Sequence, residues 1–127
     1  MGRSKGQVEA DISEALIKFE KEYMGRGPEE TKTYIIDDMV VIRLQRVLTR
    51  AEQQLAGTSD ETTGRSLIKR IRTELVEKAR PLLEQIIMDL TGERVKSLHT
   101  DISTMTGERV IIFTLESSVL FQNEEKA

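Results

Sequence analysis

The sequence has no cysteine and no tryptophan, a single histidine, two prolines and no long apolar run. Without cysteine there are no disulfides, no thiolate metal sites and no cysteine nucleophile. That absence fits a reducing cytoplasm. Aromatic residues make up only 4% of the chain, which argues against a stacking platform for nucleotide bases and leaves aliphatic residues and methionine to fill the core. Net charge is −3, so no global field draws nucleic acid or anionic lipid toward the chain. The first residues, Met1 to Gln7, lead into charge and not into an apolar h-region, so no secretory signal is expected. Nothing approaches the roughly 20 apolar residues a spanning helix needs. The expectation is a cytoplasmic protein without direct membrane insertion, peripheral to the inner face of the membrane only through a protein partner.

At 127 residues the chain is the size of one domain with one core. Val8, Ile12, Ala15, Leu16, Phe19 and Tyr23 recur at three- and four-residue steps, which predicts a helix from about Ser4 to Met24. Ser4 with Gln7 has capping-box spacing, and "GRGP" at 25–28 ends the helix. Residues 31–46, "TKTYIIDDMVVIRLQR", are rich in β-formers. They predict two antiparallel strands turning at Asp37-Asp38, with one bulged strand as the alternative. Asp-Asp is a weaker turn signal than Asp-Gly, because the second residue lacks glycine's freedom. Val40, Ile42 and Leu44 share one strand face, and Met39, Val41 and Arg43 the other.

Thr49 and Glu52 form a second capping-box pattern, opening a short helix through about Ala56. After a loop at Gly57–Asp60, a wide apolar stripe from Leu67 to Leu90 predicts a long helix from about Glu61, kinked just before Pro81. A second hairpin follows: a strand at Val95–Ile102, a turn at Ser103–Glu108 and a strand at Arg109–Glu116. A polar tail frays from about 118 beyond the apolar knot Val119-Leu120-Phe121. Two hairpins separated by helices merge most economically into one sheet. The predicted fold is an α+β two-layer sandwich: a four-stranded, mostly antiparallel sheet with about three helices on one face, in a single domain over 1–127.

His99 and Asp101 share a strand face and could meet a common ligand, but two ligands fall short of the three or four a stable metal site needs. No metal or cofactor is implied. Ser97, Ser103 and Thr104 are close to them only in sequence, so a catalytic triad is not defined. The polar face of a half-exposed strand accounts for the pattern. Arg65, Lys69, Arg70 and Arg72 cluster on one helix and offer an anion-binding face, against which Glu74 and Glu77 offer local ion-pair partners. "GRGP", "TGRS" and the twice-occurring "TGER" lack the spacing of phosphate loops and fit turn and cap duty. Apolar surface in excess of what two helices on a sheet can cover points to a homodimer or a protein partner.

"GQVEADISEALIKFEKEYMGRGPEETKTYIIDDMVVIRL", "LTRAEQQLA", "GRSLIKRIR", "ARPLLEQII" and "LHTDISTMTGERVIIFTLE" together resemble the MpsC-like family, across about residues 5 to 117. The family takes its name from a component of a sodium-translocating membrane-potential-generating system. Arg50 stands where the family pattern has proline, and either residue suits a first helical turn. The resemblance implies a small protein linked to sodium or inorganic-carbon transport, with no established reaction and no catalytic residue to carry over. A chain without a membrane span cannot translocate an ion itself. The expected function is therefore a non-enzymatic accessory or regulatory protein of a membrane transport partner, recognised through the hairpin residues His99, Asp101, Thr104 and Arg109. A lone histidine there would make binding sensitive to pH near neutrality. The alternative is a nucleic-acid or phosphate-ligand binder using the basic helix face, with nucleic acid disfavoured by the overall charge.

Overall fold

The computed structural model describes residues 3–57 and 61–121, and for 61–63 the backbone alone. Helix α1 (Lys5–Met24) starts where the Ser4 side chain accepts from the Gln7 amide and stops at Gly25, which adopts the left-handed cap at φ 85°. Strands β1 (Glu30–Ile36) and β2 (Met39–Gln45) form the first hairpin. Its turn places the positive φ on the first aspartate, Asp37, at 55°. Aspartate tolerates the left-handed region better than most residues, so the Asp-Asp turn closes without glycine. Helix α2 (Arg50–Ala56) carries the full capping box, with Thr49 and Glu52 exchanging backbone hydrogen bonds. Helix α3 (Glu61–Thr91) continues through Pro81. Strands β3 (Val95–Ile102) and β4 (Arg109–Leu115) form the second hairpin. The loop expected at 57–60 lies outside the described residues except for Gly57.

The four strands make one antiparallel sheet in the order β1-β2-β4-β3. The strands of the two hairpins that meet at the centre, β2 and β4, are the most apolar. Val40, Ile42 and Leu44 with Ile111, Phe113 and Leu115 face inward and are buried. Helix α1 packs on β1 and on α3, and α3 packs on β3 and α2. Val8, Ile12, Leu16 and Phe19 of α1 and Ile68, Val76, Leu83 and Ile87 of α3 complete the core. Val119 and Phe121 also enter it, so the chain remains packed past 118, while Leu120 between them is exposed. The frayed tail expected further on lies outside the described residues.

One glycine of the "TGRS" motif has a use that its turn-like spacing conceals. Gly64 lies inside α3, buried, where an added Cβ would overlap the Leu55 carbonyl oxygen and stand 3.1 Å from its carbon. It is the close-approach point between α2 and α3.

Candidate functional site

Strand parity turns Lys32, Tyr34, Ile36, Met39, Val41, Arg43, Val110, Ile112, Thr114, Ser97, His99 and Asp101 to the sheet face away from the core. Tyr34, Val41, Ile112 and His99 stand in register as one row across all four strands, and Ile36, Met39, Thr114 and Ser97 as the next. Tyr34 and Ile36 are 42% and 56% exposed. An antiparallel sheet with one solvated face ordinarily alternates apolar and polar. Here "MVVI" in β2 and "VII" in β4 are apolar on both faces, yet only one is covered by helices.

His99 and Asp101 both sit on this outer face and are exposed, but the structure does not join them. The Ser97 hydroxyl lies 3.3 Å from His99 Nε2 and is also bonded to the Thr114 hydroxyl. Asp101 instead accepts from the Ile102 amide at 2.8 Å and pairs with Lys69 Nζ at 3.2 Å. The Ile102 amide and then the Lys69 ammonium hold the Asp101 carboxyl below its ordinary range. Among the described residues no three histidine, aspartate or glutamate groups converge as a metal site. Thr104 lies in the β3–β4 turn, where it lines one cleft with Asp101, Lys69 and Arg65 and borders a second with Arg26 and Arg46.

Arg109, read in the sequence as part of an exposed recognition edge, is buried at 1% exposure. Its strand position explains this: it shares inward parity with Ile111 and Phe113. Arg72, read as part of a basic helix face, is likewise 1% exposed, because it falls between Ile68 and Val76 on the apolar stripe of α3. Lys69 and Arg70 remain exposed and Arg65 half-buried. The four basic residues therefore do not form one surface.

Arg72 and Arg109 instead meet Glu20 and Glu52 in a buried charge cluster that the sequence reading missed. Arg72 grips Glu52 with two hydrogen bonds, Nε to Oε2 at 2.9 Å and Nη2 to Oε1 at 2.7 Å. It also donates to Glu20 Oε1 at 3.3 Å and to the Val47 carbonyl at 2.9 Å. Arg109 is held less fully. Its Nη1 donates to Thr100 at 3.1 Å, and its Nε lies 3.6 Å from Glu20 Oε2. Nη2 and Nε of Arg109 and Oε2 of Glu20 have no hydrogen-bond partner. Burial raises Glu20 above the ordinary carboxylate range despite the two guanidiniums beside it, and burial lowers Arg109. Burial also works against the charge on Glu52, but the Arg72 hydrogen bonds, the Thr49 amide and the Arg72 charge outweigh it and hold Glu52 low.

These directions set opposite pH dependences. A depressed carboxyl contributes stability that is present above its unfolded pKa of about 4.3 and is lost as pH falls through its folded value. Glu52 is of this kind. Glu20, being raised, works the other way: its contribution is present in acid and falls as the carboxyl ionises. Glu52→Gln is expected to destabilise the fold by about 1.5–3 kcal/mol at pH 7, the range for hydrogen bonds to charged groups. Urea titrations at pH 7 and pH 3 check this, since the difference from wild type should shrink at the lower pH. A constant difference would remove Glu52 ionisation from the account.

Fold and surface thus define a small α+β protein with an uncovered sheet face and a buried charge network. The chain belongs to the family described as "Na+-translocating membrane potential-generating system (MpsC)", whose model matches residues 4–117. It is 45% identical over 115 residues to the uncharacterized protein YbcI of Bacillus subtilis (strain 168), covering 91% of this chain and 90% of that protein. It is 27% identical over 118 residues to the uncharacterized protein YrhF of the same organism, covering 90% and 92%. No solved structure matches. No helix among the described residues is long and apolar enough to cross a membrane.

Proposed function

We propose that this chain is a non-enzymatic accessory protein of a membrane transport or energy-coupling system, sodium-linked as the family description indicates, and that it acts at the cytoplasmic side as a homodimer. The apolar outer face of β2 and β4 carries the second part of this reading. Central strands apolar on both faces belong to sheets covered on both faces, and a second copy supplies the missing cover. A two-fold axis along the strands lays β1 over the partner's β3 and β2 over the partner's β4. Lys32 then stands over the partner's Asp101, Tyr34 over the partner's His99, and Val41 over the partner's Ile112. The Lys32–Asp101 and Val41–Ile112 pairings favour self-association over an unrelated occupant, while Arg43, held by Glu108 of its own chain, stands over the partner's Val110 in the same arrangement.

Ile112→Lys puts a charge into the middle of that face and should convert the dimer to a monomer with an unchanged far-ultraviolet circular dichroism spectrum, read by light scattering after gel filtration. The accessory role is tested in the organism that carries the gene. Deletion should lower the sodium-dependent membrane potential read by a potential-sensitive dye, and wild type should restore it while Ile112→Lys does not. An unaltered potential after deletion would overturn the role.

A further inference from the structure

A cleft of about 460 Å³ opens between the end of β2, the start of α3 and the β3–β4 turn. Three arginines from distant parts of the chain line it, Arg26, Arg46 and Arg65, together with the hydroxyl residues Thr104 and Thr106; among the described residues Glu29 is the one acid in the lining. Among the described lining residues arginines outnumber acids, in a protein whose net charge is −3. We propose that this cleft binds a small phosphate-bearing molecule carrying at least two negative charges.

Backbone geometry supports the assignment independently of charge. Arg46 adopts φ 56°, a conformation that glycine, asparagine or aspartate fills readily and arginine does not. Strain of this kind is stored where a side chain is required for function. The neighbouring turn is shaped to receive it. Gly107, itself at φ 77°, has no Cβ where one would stand 3.4 Å from Arg46 Cα, and the Val47 amide donates to the Gly107 carbonyl at 2.9 Å. The strained residue is thereby pinned against the turn that carries Thr104 and Thr106.

Two of the arginines, Arg26 and Arg46, are also prepared to receive an anion. Arg26 Nη1 donates to the Leu48 carbonyl at 3.0 Å, which orients the guanidinium while leaving its other nitrogens available. Arg46 Nε lies 3.6 Å from Glu29 Oε2, with both side chains mostly exposed. So loose a surface pair contributes little and yields readily to a phosphate that guanidiniums can grip with two hydrogen bonds. The volume suits a metabolite-sized ligand. No aromatic residue is found among the described lining residues, which favours a small anion over single-stranded nucleic acid, held by base stacking.

Calorimetric titration of the whole chain at low salt with inorganic phosphate, pyrophosphate and adenosine triphosphate tests the proposal. Pyrophosphate or the nucleotide should bind, more tightly than inorganic phosphate, and binding should weaken with added salt. Arg46→Gly relieves the strained φ, so its melting temperature should rise by a few degrees while affinity falls at least tenfold. Arg26→Gln should also weaken binding. No binding of any of the three anions at millimolar concentration overturns the proposal, as does unchanged affinity in Arg46→Gly. Tighter binding of a single-stranded oligonucleotide, lost in the same variant, would reassign the cleft to nucleic acid and overturn the small-ligand class.

Discussion

Glu20→Gln should destabilise the fold by about 1–3 kcal/mol, the cost of leaving the Arg109 guanidinium buried with less to hold it. The loss falls short of the roughly 3–5 kcal/mol for breaking a fully formed buried ion pair, because burial already disfavours the Glu20 charge. The substitution preserves size, so no cavity contributes. What it removes is the negative charge that lies 3.3 Å from Arg72 Nη1 and 3.6 Å from Arg109 Nε. The two guanidiniums do not suffer equally. Arg72 keeps its two-pronged bond to Glu52 and its bond to the Val47 carbonyl. Arg109 keeps only Thr100, and becomes a buried cation with no counter-ion in contact. Most of the loss therefore arises at Arg109.

A double substitution separates this account from a general intolerance of position 20. Glu20→Leu with Arg109→Met removes both charges and fills the space with apolar atoms. Such replacements of buried pairs are often neutral or stabilising. The double variant should recover most of the stability that Glu20→Gln loses, giving a coupling between positions 20 and 109 of well over 1 kcal/mol. Urea unfolding of the variants measures it. A loss below about 1 kcal/mol in Glu20→Gln would mean that the cluster carries little of the fold's stability.

Gly64→Ala is expected to cost about 1–3 kcal/mol from overpacking. In a solvated helix the same change gains up to about 1 kcal/mol, because alanine is the better helix former. The sign reverses here because the methyl group would run into the Leu55 carbonyl, which belongs to the backbone and cannot rotate away. Either α2 moves off α3 or the first turns of α3 shift. Gly6→Ala is the internal control: it lies in α1 with nothing within 4 Å of the new methyl, and should be neutral or stabilising. Thermal unfolding of the two variants beside wild type decides the matter. A stabilised Gly64→Ala would show that the two helices approach less closely than described.

The legible parts of the fold were those in which one residue type reports one environment. Ser4, Thr49 and Glu52 are polar residues at helix starts, and they perform the capping that their spacing announced. Both hairpins and the antiparallel four-stranded sheet followed from β-forming runs broken by turn residues. The buried charges were hidden for the opposite reason. Glu20 continues the series Ile12, Leu16; Arg72 sits between Ile68 and Val76; Arg109 shares parity with Ile111 and Phe113. Position alone placed all three inward, but a charged side chain suggests solvent unless its partner is known, and these partners lie 20 to 89 residues away along the chain.

The candidate sites divide in the same way. His99 and Asp101 lie on the expected strand face. The apolar surplus in need of cover was legible in the two long helices and the Val119-Leu120-Phe121 knot, not in β2 and β4, and Val119 and Phe121 are in fact buried in the core. Which surface remained uncovered depended on the register that aligns Tyr34, Val41, Ile112 and His99 across four strands. The arginine cleft was invisible, since Arg26, Arg46 and Arg65 follow no local pattern. Gly107 alone gave a hint, and turn duty explained it equally well.

Sedimentation equilibrium of the whole chain at micromolar concentration, with Ile112→Lys beside it, tests the central claim that the outer sheet face is covered by a second copy. The expected result is twice the mass of the 14.5 kDa chain for wild type and a single chain for the variant. A wild-type protein that stays a single chain up to about 100 micromolar, a concentration at which an interface of even modest affinity would be occupied, would contradict it.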